Sequence, residues 1–161
     1  MQAPTTNTLI DAEVLNQWSS PTCMNFAVCT ILQRYWVKFD IDKVGYTLSP
    51  YIQKVEKLFI DAGLVKQFIK IPTPKLVDLW LNKWEWLITS TARGDFSIHD
   101  NDGNIIEFDE KSQHAFVLIR DCWDRWEMQN VWGKEWNQNG RCFIMKKDFK
   151  YLLTPRRIIL K

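Results

Sequence analysis

Nowhere in the chain do apolar residues run for the roughly 18 positions that a membrane-spanning helix needs, and Met1–Leu15 holds no lysine or arginine. The second lack removes the basic-then-apolar layout of a secretory signal. Cysteine is scarce, with four in 161 residues and no Cys-x-x-Cys pair among them. That argues against a disulfide scaffold and against structural zinc, so the expectation is free thiols in a reducing, cytoplasmic compartment. With six glycines there are few soft joints, and no repeat, low-complexity tract or linker is visible. The formal net charge is only +2, which gives no electrostatic reason to expect nucleic acid or an anionic membrane as partner. Arg156-Arg157 is too short a basic run to change that. Asp100-Asn-Asp102-Gly-Asn104 alternates oxygen ligands, but its glycine comes too early for a calcium loop and no closing glutamate follows. It reads as a hairpin turn with His99 exposed beside it. No metal and no cofactor is implied.

What the chain does have is interior-forming material: 46% apolar residues, 14% aromatic and nine tryptophans. One compact domain over residues 1–161 is expected. Pro21–Trp36 is apolar on nearly every side, as befits a helix in the middle of a fold, with Ser20 or Thr22 as its cap. A second helix follows Ser49-Pro50, with Ile52, Val55 and Phe59 on one face and Gly63 as its stop. A third follows Thr73-Pro74 and runs to about Leu81. From Trp84 the period shifts to that of strands, with Trp84, Trp86 and Ile88 alternating with other residues. A hairpin is expected over 97–108 and a central strand over His114–Ile119. Further strands are expected over Glu127–Trp132, over Arg141–Lys146 and, as an edge or closing strand, over Arg156–Leu160. The class is α+β: a mainly helical lobe over 17–83, then a mainly antiparallel, twisted β lobe over 84–161.

A cysteine nucleophile needs a thiolate, a base and donors for the oxyanion. Cys23 falls in the first turn of the buried helix, where free N–H groups and the positive helix end favour a thiolate. Taken alone, such a cysteine more often simply packs, and Cys29, on another face, reads as core. The neighbours of Cys23 change the balance. Gln17 stands six residues before Cys23 and Phe26 three after it. Gln113-His114-Ala115-Phe116-Val117 opens a strand. Sixteen residues beyond His114 comes Asn130-Val-Trp132-Gly133-Lys-Glu-Trp136-Asn-Gln-Asn139-Gly140.

These three segments, in this order, resemble the nucleophile, histidine and asparagine regions of the papain-like cysteine peptidases. The resemblance implies a papain-like fold with the active-site cleft between the lobes, and a peptidase acting through an acyl-enzyme. It implies Cys23 as nucleophile, His114 as base and Asn130 as the residue orienting His114. The Gln17 amide and the Cys23 backbone N–H would form the oxyanion hole, with Trp132 and Trp136 in support. The expected partners are a peptide or protein substrate and an inhibitory or assembly protein. About sixteen residues precede Gln17, too few for a helical inhibitory prosegment, so restraint is expected from a partner, an assembly or the N-terminal tail. The sequence departs from the family in several places. Met24 replaces a tryptophan, Ser20 stands where many relatives carry a disulfide cysteine, and the Gly-Cys-x-Gly-Gly stretch has no counterpart. The chain is also short, chiefly between Phe39 and Phe96, an economy that suits a viral or bacterial source. Two other functions fit the same pattern: a silent papain-like part of an assembly, and a specialised thiol hydrolase or acyl transferase acting on ubiquitin-like tags or cell-wall peptides.

Overall fold

A computed structural model of the protein describes residues 14–17, 22–47, 52–91, 97–98, 106–107 and 114–161. Helix α1 spans Cys23–Arg34, and all its residues except Cys23 and Gln33 are buried. Burying polar groups in such a helix is tolerable only if they are bonded. Asn25 Nδ2 donates to the carbonyls of Val44 at 2.8 Å and Thr47 at 3.0 Å, tying the following loop to the helix. The Thr30 hydroxyl donates to Phe26 O at 2.9 Å, and Arg34 donates to Trp84 O at 3.1 Å. Thr22 occupies the cap position without a side-chain capping bond; Ser20 lies outside the described residues, as does the Ser49-Pro50 start of the next long helix. Between them is an unforeseen single turn, α2 (Ile41–Val44), capped by Asp40, whose carboxylate accepts from Asp42 N. Helix α3 (Ile52–Asp61) ends at Gly63, φ +73°. Helix α4 (Pro74–Leu81) starts as its sequence dictates, with proline first and the Thr73 hydroxyl accepting from Leu76 N at 3.3 Å.

The strands are β1 (Val65–Lys70), β2 (Leu87–Thr91), β3 (Ser97–Ile98), β4 (Ile106–Glu107), β5 (Ala115–Cys122), β6 (Arg125–Gln129), β7 (Arg141–Met145) and β8 (Leu152–Leu160). Six of them form one antiparallel sheet in the order β1-β8-β2-β5-β6-β7. Strands β3 and β4 pair as the expected hairpin, Ser97 with Glu107 and Ile98 with Ile106; its turn at 101–104 and His99 lie outside the described residues. The class is thus α+β, with the buried helix at its centre.

Strand β5 explains the layering. Ala115 and Val117 join the core around α1, whereas Phe116 and Leu118 join a second core with Val77 and Leu81 of α4. Helices therefore cover both faces of this strand, which is why its sequence is continuously apolar rather than alternating.

Three expectations about strands need correction. Trp84 and Trp86 precede β2 rather than belonging to it, and Trp84 is exposed. No strand was expected over Val65–Lys70, yet β1 is there. Because β1 covers it, β8 lies inside the sheet, not at its edge. Strand β8 also begins at Leu152, four residues before the expected Arg156. Its register against β2 slips between Ile88 and Ser90, and Pro155 falls in that bulge, where a missing N–H is tolerated. The Pro155 carbonyl still accepts from Ile71 N at 2.8 Å.

Candidate active site

Cys23 is the first residue of α1, so its backbone N–H has no acceptor within the helix. Its Sγ is half-buried and accepts from the backbone N–H of Ala115 at 3.4 Å. The thiol thus lies against the residue next to His114, at the start of β5. Sequence separation between the two is large, and the packing of α1 on β5 closes it.

His114 is held at its backbone by Thr91, at the end of β2. Thr91 N donates to His114 O at 2.9 Å, and His114 N donates to Thr91 Oγ1 at 3.2 Å. Its ring meets Asn130, with 2.6 Å between Nε2 and Oδ1. The same Oδ1 accepts from Val131 N at 2.8 Å. This second bond fixes which way the carboxamide points, because a flipped amide would set N–H against N–H. An amide oxygen only accepts, so Nε2 must carry the ring proton and Nδ1 the lone pair. Trp132 covers the imidazole, ring centroids 4.5 Å apart, and Trp136 packs edge-on against Trp132 at 5.6 Å.

The asparagine loop is braced by the chain before Gln17. Leu15 O accepts from Gly133 N at 2.9 Å, Asn16 bridges Trp132, and Gln17 N donates to Val131 O at 2.8 Å. Gln17 is buried beside the Asn130–Trp132 segment. Two glycines of the motif are dictated by this strap. Gly133 and Gly140 have φ of +84° and +79°. A Cβ on Gly133 would meet Asn16 Nδ2 at 2.9 Å, and one on Gly140 would collide with Val14 Cγ1. Asn137 also has positive φ, +47°, which asparagine tolerates better than other side chains.

The electrostatics differ from the helix-end expectation. Burial pushes the Cys23 thiol up, partly offset by the bond from Ala115 N–H and other backbone amides. Burial likewise lowers His114 to about 4, with the Asn130 bond opposing. Each group alone is thus held neutral.

The structure brings Cys23 against the His114–Ala115 segment and joins His114, Asn130, Trp132 and Trp136 in one cluster, with Gln17 beside the asparagine loop. Gln113 lies outside the described residues. Sequence reading missed Thr91, the Val131 and Ala115 amides and the strap Val14–Asn16. Backbone donors leave no mark on residue identity, and Thr91 looks like any strand threonine.

No protein-family model matches the chain, and no curated protein matches its sequence. Solved structures do match. Bromelain from Ananas comosus, solved with an inhibitor, superposes with a TM-score of 0.66 at 13% identity, covering 96% of this chain and 95% of bromelain. Xylellain, a cysteine protease from Xylella fastidiosa, gives 0.60 at 9% identity over 97% and 89%. A clostridial cysteine protease, solved after propeptide cleavage, gives 0.60 at 14% over 94% of this chain and 55% of its own. The fold is that of the papain-like cysteine proteases. At these identities the likeness is one of fold.

Proposed function

We propose that the chain is a cysteine peptidase that hydrolyses peptide bonds through an acyl-enzyme on Cys23. The observation that carries this reading is the Asn130 oxygen, which accepts from Val131 N and lies 2.6 Å from His114 Nε2. With Nε2–H given to Asn130, the lone pair of Nδ1 is the basic position for the proton of a thiol held against the next residue's amide. In the proposed reaction the Cys23 S–H proton moves to His114 Nδ1 as sulfur attacks the substrate carbonyl carbon. The oxyanion so formed is received by the Cys23 backbone N–H and the Gln17 carboxamide, donors typically worth on the order of 10²–10³ in turnover. His114 then returns the proton to the leaving amine. Water, deprotonated by the same nitrogen, cleaves the thioester and releases a carboxylate and the free thiol. Trp132 and Trp136 keep bulk water from the His114–Asn130 bond.

A fluorogenic peptide library tests this. Wild type is expected to turn over at least one member and to accumulate a thioester detectable by intact mass at low pH, with Cys23→Ala doing neither. Absence of turnover across peptides and denatured proteins, or turnover that survives Cys23→Ala, contradicts it.

A further inference from the structure

Three tryptophans stand where the backbone favours glycine. Trp36, Trp84 and Trp123 have φ of +59°, +66° and +67° and are 65%, 56% and 94% exposed. Trp36 and Trp84 follow the ends of α1 and α4 in the same hydrogen-bonded cap: Val37 N to Leu32 O and Glu85 N to Trp80 O, both near 3 Å. The equivalent cap on α3, Leu64 N to Phe59 O, uses Gly63 at the left-handed position, as most such caps do. Trp123 is the first residue of the two-residue turn between β5 and β6, again a place for glycine. Bulky side chains rarely adopt this backbone, and a ring left in water adds nothing to the core. Folding alone accounts for none of the three.

They share one rim. Arg34, two residues before Trp36, donates to the Trp84 carbonyl at 3.1 Å. Asn82, two before Trp84, donates to Asp121, two before Trp123, at 3.0 Å. Among the described residues the rim's charges nearly balance: Asp124 pairs with Arg125 at 2.9 Å and Asp121 with Lys146 at 2.6 Å, exposed Lys38 and Asp40 flank Phe39 just beyond Trp36, and Lys83, beside Trp84, lies over the Trp80 ring at 5.1 Å. Polar groups lie next to the tryptophans, including exposed Asn82 and Asp124.

We propose that this rim docks a neutral glycan chain. A sugar ring offers C–H faces that stack on indoles and hydroxyls that bond the polar groups between them. A flat apolar partner would leave those polar groups buried and unmatched, and a polyanion needs a cluster of cations, where the described rim adds only Lys83 to balanced charges. The proposal stands apart from the chemistry of Cys23.

Sedimentation of the full chain with insoluble cellulose, chitin and β-1,3-glucan, and tryptophan fluorescence titration with the matching hexasaccharides, test it. Retention by at least one of the three is expected, undiminished in Cys23→Ala and at least tenfold weaker in the triple variant Trp36→Asn, Trp84→Asn, Trp123→Gly. That variant is expected to melt no lower than wild type, since asparagine and glycine suit these backbones. The proposal is overturned by absence of binding to all three glycans or by binding that survives the triple change. Trp-dependent binding to phosphatidylcholine vesicles without glycan binding overturns it too. A clear drop in melting temperature overturns it as well, by showing that the rings serve the fold.

Discussion

Because the Val131 N–H already bonds the Asn130 oxygen, His114 has one tautomer open to it, and burial keeps that ring neutral down to about pH 4. Two outcomes follow at the residue scale. The acid limb of kcat/KM is expected near pH 4, and a limb at pH 6–7 would show an imidazole open to water. Stability follows the same proton. Below the ordinary value of 6.5 the unfolded chain binds a proton that the folded chain refuses until about 4. Stability therefore falls as pH drops through that window, by on the order of 3 kcal/mol, readable in urea unfolding at stepped pH. Thr91 supplies a second test. Thr91→Val removes the oxygen that accepts from His114 N and should lower kcat by roughly tenfold through misplacement of the ring. KM should change little, and Thr91→Ser should restore the rate. The candidate cysteine, histidine and asparagine could be picked out in the sequence because residue type and spacing mark them. The direction of their pKa shifts was not, because it depends on how much water the fold excludes.

At the scale of elements, the asparagine loop and the strap beneath it form one unit. Gly140→Ala would drive a Cβ into Val14 and within 3.1 Å of the Gly133 carbonyl, at a backbone conformation that already disfavours alanine. A loss of about 2–4 kcal/mol is expected in chemical denaturation. Gly133→Ala should cost less, since the Asn16 side chain it meets can swing aside. Both glycines stood out in the sequence by motif, but the reason for them, the Val14–Asn16 segment laid across the loop, did not. Helices α1 and α4 were legible because their signals are local: an unbroken apolar stretch in one and Thr73-Pro74 in the other. Strand β1 gave no such signal. Its burial follows no two-residue alternation, lysines sit at positions 66 and 70 as befits an edge, and its partner lies some ninety residues on.

For the molecule as a whole, β8 ties the end of the described chain to both α1 and the helical segment before β2. Arg157 in β8 bonds the Glu85 carboxylate at 3.2 Å and lies over the Trp80 ring at 4.0 Å. Tyr35, just past α1, donates to the same carboxylate at 3.0 Å, and burial together with Glu85 keeps its phenol protonated. Arg157→Ala would leave Glu85 buried without its cation, at a cost of about 3–5 kcal/mol in urea unfolding. The class and the central helix could be read in advance. The sheet order could not, because a strand's neighbours are set by contacts across the entire chain rather than by its own residues.

The most direct test of the account is the reactivity of Cys23 toward an epoxysuccinyl probe, mapped by mass spectrometry. Cys29 and Cys142 are buried, and burial pushes Cys29 up to about 12, so Cys122 serves as the internal reference. Labelling at Cys23 is expected to exceed that at Cys122 by at least a hundredfold in wild type and to fall to the Cys122 level in His114→Ala. Equal labelling of Cys23 and Cys122 in wild type, or labelling of Cys23 indifferent to His114, would contradict it.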